Sequence, residues 1–201
     1  MPTYLSVQNR VNLDCLNRMD LVQETKRAIL SAIRSYENQP MWFNQTATTI
    51  NCTAAQTYIN LPSDYISENN LRITFQSADY HLIPRPLSDI NELNVTRIRD
   101  RPTFYCQFGN RFELAPIPDS AYPVIVQYIQ KLPDLSADTD VNDWLSAGED
   151  VIVYCAAKMV SANLGRVDDA AKFQRLEQMF YTNLMQNRDM KSLKSLKPTR
   201  F

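Results

Sequence analysis

Apolar residues recur in two different rhythms along this chain, and the rhythm changes twice. At both ends they recur every three or four residues, which predicts amphipathic helices. In the middle they alternate with polar residues or stand in short runs between turn residues, which predicts strands. Helices at both ends with strands between them predict an α+β fold, in which a helical bundle carries a strand-rich, antiparallel insertion.

The first zone predicts two helices. Residues 3–16 give a weak apolar pattern, and residues 20–38 give a strong one that opens on Asp20 as a capping box. The chain leaves the second helix through Trp42 and Phe43, two large aromatic side chains. Because such rings bury a large apolar area, we expect both to be anchors in the core.

The middle zone predicts short strands joined by turns. Two apolar segments surround a turn at residues 54–56, a hairpin is predicted around residues 77–79, and a short helix opens with Ser88. A second hairpin pairs TFYCQF with RFELAPI across Gly109-Asn110, because glycine tolerates the positive φ of a tight turn.

The third zone predicts two more helices. The first opens on Ser146 and Glu149 as a capping box and ends near Gly165, and the second has an apolar stripe at helical spacing. Trp144, just before these helices, is a third expected aromatic anchor.

These zones set the predicted domain boundaries. We expect residues 1–45 and 146–187 to form the helical domain, residues 46–145 the β-rich insertion, and residues 188–201 an extended basic arm. The arm holds five cations and one anion, a local balance of +4 in a chain whose net charge is −1. Its predicted contact residues are Arg188, Lys191, Lys194, Lys197, Arg200 and Phe201.

Composition excludes several classes of function. The 3 glycines lie too far apart for a phosphate-binding loop, which excludes nucleotide binding by that device. His81 is the single histidine, so one chain cannot build a His-rich metal site. The 4 cysteines form no CxxC motif and are interpreted as free thiols at apolar positions. The sequence has no apolar run typical of a signal peptide or a membrane span, so we expect neither.

No catalytic constellation stands out. Glu113, Asp119 and Asp134 are carboxylates in the middle of the chain, but their spacing selects no acid/base pair. His81 lies in a predicted hairpin strand without a Ser or Cys signature. We therefore expect no catalytic, cofactor-binding or metal-binding residues.

One segment partly matches a calcium-binding loop. Residues 138–149 place oxygen-bearing side chains at several ligand positions of an EF-hand, from Asp138 to Glu149. The position that requires glycine for its sharp turn is Asp143, and no helix precedes the segment. We interpret it as an acidic turn that caps the next helix, with calcium binding as the alternative.

An ordered series of short motifs resembles the head-to-tail adaptor proteins of short-tailed bacteriophages. The resemblance runs from about Asp20 to Gln186 and does not include the basic tail. The resemblance depends on the order in which the motifs follow one another. The motifs are the aromatic exit at Trp42-Phe43, LPSD from Leu61, RPTFY from Arg101, PIPDSAY from Pro116 and LPDLSADTDVNDWL from Leu132.

The resemblance implies a structural protein of the virion that assembles in the host cytoplasm. Such adaptors form a ring, typically of twelve copies, below the portal protein. They extend the channel for the passing genomic DNA without sequence-specific binding, and they dock the tail nozzle and fibre proteins. We expect the helices at 20–38 and 147–186 to build the ring and the insertion to meet the tail. The arm lies outside the resemblance, and we expect it to reach a neighbouring subunit or the portal. The alternatives are a solvated, partly disordered end and an approach to DNA phosphates through charge alone.

Two other classes of function stay open. The first is a tail-associated hydrolase of peptidoglycan or capsule, since some adaptor-like proteins are credited with lytic activity. The second is a monomeric regulatory or binding module. A turnover assay tests the first class, and the mass of the assembled particle tests the second.

Overall fold

The computed structural model describes the backbone of residues 1–195 and the side chains up to Asp189, except that of Asp14. The fold is α+β, as the sequence predicts. Its helices are α1 (Tyr4–Asn9), continued by a π-helical segment (Arg10–Leu16), α2 (Val22–Tyr36), α3 (Leu87–Val95), α4 (Asp143–Ala147), α5 (Glu149–Asn163) and α6 (Val167–Ser195). Its strands are β1 (Gln45–Asn51), β2 (Tyr58–Asn60), β3 (Tyr65–Phe75), β4 (Ala78–His81), β5 (Ile83–Pro84), β6 (Phe104–Phe108), β7 (Arg111–Ala115) and β8 (Pro123–Gln130).

The chain forms two compact units. The helical unit combines Met1–Asn44 with the chain from Leu132 onward, and the β unit is Gln45–Lys131. The structure thus places residues 132–145, which the sequence pattern assigns to the insertion, with the helices. The reason is burial in the helical core of three side chains from this segment: Leu135, Trp144 and Leu145.

Helix α5 is the centre of the helical unit. Four of its side chains within five positions are buried: Val151, Ile152, Val153 and Cys155. A helix that is apolar on all sides must be covered on all sides. Helices α2 and α6 and the π-helical segment pack around it and supply that cover.

Both predicted capping boxes are wrong. Helix α2 begins without a side-chain cap, and Asp20 instead pairs with Arg18. The short helix α4, which the sequence pattern did not predict, occupies the segment before α5, so Ser146 lies inside α4. The cap of α4 is Asn142, whose Oδ1 accepts a hydrogen bond of 3.1 Å from the backbone N–H of Leu145.

Helix α6 is longer than the sequence pattern predicts. It continues to Ser195, so the prediction of an extended arm is wrong for residues 188–195. The physical reason is composition: methionine, lysine and leucine favour helix, and no proline stands between Pro133 and Pro198. Three predicted arm residues lie outside the described part of the chain: Lys197, Arg200 and Phe201.

The β unit contains two four-stranded sheets, ordered β1-β8-β3-β4 and β2-β7-β6-β5. Neighbouring strands pair antiparallel, except that β5 and β6 are parallel. The prediction that the strands of the insertion are antiparallel is therefore confirmed apart from this pair. The two sheets share a single apolar core. Its members include Leu71, Ile73, Val124 and Val126 from the first sheet and Ile59, Tyr105, Phe112 and Leu114 from the second.

The turns determine which strand predictions are correct. The hairpin across Gly109-Asn110 is confirmed, with Phe108 paired to Arg111 and Gly109 at a φ of 59°. The β3–β4 hairpin turns at Gln76 and Ser77, slightly earlier than predicted. The segments around residues 54–56 do not pair with each other, because β1 and β2 belong to different sheets.

Candidate functional site

The three predicted aromatic anchors lie together in the helical unit, where Trp144 is in the core and Trp42 and Phe43 are partly buried against it. Trp144 is 1% exposed, and the ring of Phe43 meets it edge-to-face with centroids 5.0 Å apart. Trp42 in turn meets Phe43 edge-to-face at 5.2 Å, and Tyr36 at the end of α2 lies 6.1 Å from Trp144. Such edge-to-face pairs stabilise beyond simple area burial. The rings therefore fix the exit from α2 against α4.

A buried carboxylate that sequence reasoning missed joins three helices. Glu177 of α6 is 5% exposed. Its Oε1 accepts a hydrogen bond of 2.6 Å from the hydroxyl of Tyr36 in α2, and its Oε2 pairs with the ammonium of Lys158 in α5. Its position in the sequence could have indicated this burial, because Glu177 stands four residues after Phe173, on the apolar stripe of α6.

The protonation states of this cluster follow from burial and pairing. Burial raises the pKa of Glu177, but bonds from Lys158, Tyr36 and Cys155 outweigh that effect and leave the pKa below its ordinary value of 4.5. Burial, then the bond to Glu177, raises the pKa of Cys155 to about 12, and the same two causes raise the pKa of Tyr36. The cluster is thus an ion pair flanked by a neutral thiol and a neutral phenol. It holds α6 against α2 and α5.

The acidic turn before α5 makes contacts within the helical unit. Asp138 pairs with Lys26 at 2.9 Å, and Glu149 pairs with Arg10 at 2.9 Å. The carboxylate of Asp140 accepts two backbone N–H groups at 2.7 Å each. Its side chains therefore point to separate partners. Across the described residues, no group of three or more His, Cys, Asp or Glu side chains could hold a metal ion.

The carboxylates and the histidine considered for catalysis have separate partners. Glu113 pairs with Arg111 at 2.6 Å. Asp119 accepts a hydrogen bond of 2.6 Å from the hydroxyl of Tyr122. The ring of His81 bonds to the side chain of a neighbouring asparagine. Asp134 belongs to the helical unit, whereas the other three belong to the β unit.

The β unit exposes two aliphatic side chains at and just after the end of α3, within residues 95–99, which are called the ridge below. Val95 is 78% exposed and Ile98 is 62% exposed. Arg97 and Arg99 stand beside them, and neither has a carboxylate partner in the part of the chain that the structure describes. Apolar area at the centre and arginine are both features of protein interfaces. Sequence reasoning missed this ridge, although NVTRIRDR shows it as aliphatic residues alternating with arginine.

The predicted contact residues of the arm begin on the last turns of α6. Arg188 pairs with Asp189 at 2.8 Å, and Lys191 and Lys194 follow on the same helix. The start of α5 lies beside Leu184 and its neighbours. Residues 188–195 therefore continue past the start of α5, by roughly 12 Å at 1.5 Å per residue. None of the helices described is long and apolar enough to cross a membrane.

The comparison with protein families gives a match. A family model described as SU10 adaptor protein matches residues 2–199. The match includes both units and most of the basic tail, which the motif resemblance did not include. No curated protein matches the chain.

Proposed function

We propose that this chain, which belongs to the SU10 adaptor protein family, joins the head of a short-tailed bacteriophage to its tail. Family membership makes it a phage adaptor protein, and the head-to-tail position is our proposal. In that position it is a structural part of the virion. The observation that carries the proposal is the family match over residues 2–199, which spans nearly the whole chain.

The helical unit is the proposed ring-forming part. Helices can pack against the next copy through two different surfaces, and such a heterologous contact closes into a ring when the rotation per subunit is right. Twelve copies below the portal would extend the DNA channel. The buried Glu177 cluster supports this role, because it gives each copy a helical unit of defined shape.

The C-terminal arm is the proposed contact with a neighbouring copy or with the portal. The backbone of its first part continues α6 past the start of α5. Five cations in this arm favour an acidic receiving surface.

The β unit is the proposed docking surface for the tail nozzle and fibre proteins. Its exposed ridge at Val95 and Ile98 has the composition of a protein interface, and burying such side chains against a partner is favourable. Genomic DNA would pass the ring without sequence-specific contacts. We propose no bond-making step, and turnover of peptidoglycan or capsular polysaccharide by the purified chain would contradict that part.

Truncation after Asn187 tests the arm. We expect the melting temperature to stay within about 3 °C of the wild type, because the helical core cluster has its last described member at Met185, before the cut. We expect the truncated chain to lose stable attachment to purified portal, measured by co-sedimentation and negative-stain imaging. A full-length variant with the five arm cations changed to glutamine is the matched control for charge. Attachment at the wild-type level by both variants would rule out the arm as a contact.

An image of the chain with its portal tests the proposal as a whole. We expect a closed ring on the portal face that points away from the head. The mass of the chain alone is not decisive, because ring formation can depend on the portal as a template. A chain that remains monomeric with saturating portal would contradict the adaptor position.

A further inference from the structure

Strand β1 leaves one of its two edges open. Its seven residues, Gln45–Asn51, form one border of the sheet ordered β1-β8-β3-β4. One edge pairs with β8, and no strand within residues 1–195 pairs with the other. An open edge presents a row of unpaired backbone N–H and C=O groups that can bind another strand.

The other three sheet borders are short or protected, and β1 is neither. Strand β4 has four residues, and two of them are Asp79 and His81. Strand β2 has three residues. Strand β5 has two residues, and one of them is Pro84. Short length, charge and proline are the devices by which natural proteins block edge pairing. Strand β1 reads QTATTIN, with no charged residue and no proline. Among the four borders it is the one fit to receive a strand.

The geometry of β1 is regular over its whole length. Its register with β8 runs without interruption from Gln45 opposite Ile129 to Asn51 opposite Pro123. The register between β3 and β8, by contrast, shifts twice. Residues of β1 alternate between exposed and half-buried, so one face packs on the core. A strand held in this way needs little ordering when it binds a partner, which favours binding.

We propose that the open edge of β1 receives an extended, uncharged strand from a tail protein and thereby becomes an inner strand of a five-stranded sheet. The assignment of the incoming strand to a tail protein rests on the proposed function. The proposal that the open edge pairs with a strand rests on β1 alone. Affinity would come from main-chain hydrogen bonds, to which the edge contributes roughly six to eight groups. Small side chains such as Ala47 and Thr49 leave room for β-branched residues opposite.

Two other occupants fit the edge less well. A second copy that used the same edge would pair around a two-fold axis, whereas a ring needs a contact between two different surfaces. A nucleic acid would need cations, and β1 has none. The pattern of alternating donors and acceptors selects a polypeptide strand.

Two neighbouring proline variants, Thr48→Pro and Thr49→Pro, test the edge. Because N–H groups point to opposite edges at successive residues, one variant removes a bond to β8 and the other removes an outward donor only. Thermal unfolding of both chains identifies the outward variant as the more stable one. We expect that variant to form rings on portal and to bind the purified tail nozzle protein of the same phage at least tenfold more weakly than the wild type. Binding of the nozzle within twofold of the wild type would overturn the proposal.

Hydrogen exchange provides a second measurement on the wild-type chain. We expect the β1 amides to become protected when the nozzle binds and not when the ring forms alone. Protection in the ring alone would assign the edge to a second copy and overturn the tail assignment.

If both proline variants unfold, Ala47→Lys replaces them, because the side chain of Ala47 is exposed and lysine blocks edge pairing. If the wild-type chain does not join the portal, the adaptor position is rejected. If a variant with a blocked β1 edge forms normal rings and still binds the nozzle, only the β1 contact is rejected.

Discussion

Replacing Glu177 by alanine is expected to lower the free energy of unfolding of the helical unit by about 3 kcal/mol. The substitution leaves the ammonium of Lys158 and the hydroxyl of Tyr36 without their shared acceptor. Unpaired groups of this kind are costly when buried, and the value is at the low end of the usual range because the side chain of Lys158 is 30% exposed. Urea unfolding followed by circular dichroism measures the change.

A double variant separates lost pairing from lost packing. Lys158→Met with Glu177→Leu replaces the ion pair by apolar side chains of similar size, so no charge is left unpaired and only the half-buried hydroxyl of Tyr36 loses its acceptor. We expect this variant to lie within about 1.5 kcal/mol of the wild type. Equal destabilisation by Glu177→Ala and by the double variant would mean that the pairing is not what holds α6 in place.

The same cluster predicts how stability depends on pH. The pKa of Glu177 in the folded chain lies below the ordinary 4.5, so the folded state favours the carboxylate. Its contribution to stability is complete above pH 4.5 and is lost as the pH falls through the lowered folded pKa. The variant Glu177→Gln has no carboxyl group at this position, so its stability lacks this pH-dependent contribution. We therefore expect the stability difference between the wild type and Glu177→Gln to shrink as the pH falls below 4.5, and a constant difference would contradict this assignment.

Replacing Trp144 by alanine is expected to lower the free energy of unfolding by about 3–5 kcal/mol. Trp144 is among the largest fully buried side chains, and the rings of Phe43 and Tyr36 pack against it. Removal leaves a cavity where the exit from α2 meets α4, and a close-packed interior closes such a space only partly.

Trp144→Phe is the matched control, since it keeps an aromatic ring in the same place. We expect it to cost less than half as much as alanine, and we expect the near-ultraviolet circular dichroism of the folded chain to persist. Val141→Ala is a surface control, because this residue is exposed three positions earlier in the chain. If Trp144→Ala were no worse than Val141→Ala, the aromatic cluster would contribute nothing to the fold.

Local sequence patterns were sufficient wherever the structure depends on neighbouring residues. The helical rhythm around Ala28 and Ile152 placed α2 and α5, because an apolar face must point to a core whatever that core contains. Gly109-Asn110 placed the β6–β7 hairpin, because a tight turn restricts φ at one residue. The ordered motifs indicated the adaptor class, which the family match over residues 2–199 bears out.

Capping and helix length were less predictable. The capping boxes at Asp20 and Ser146 match the local pattern, but each side chain found another partner in the folded chain. A cap contributes only about 1 kcal/mol, so a short helix such as α4 can displace it. The helical pattern of the sequence placed the end of α6 near Gln186, whereas the helix continues to Ser195 without a proline to interrupt it.

The sequence by itself determined the helical ends, the strand-rich middle, their order and the hairpin at Gly109, because each of these depends on residues within a few positions of one another. The tertiary structure alone decided which strands are neighbours: Gln45 pairs with Ile129, and β8 lies between β1 and β3. It also decided that Glu177 meets Tyr36 and that one edge of β1 stays open. The physical reason is that such contacts join distant parts of the chain, and their energies depend on the whole set of packing choices that buries the two cores.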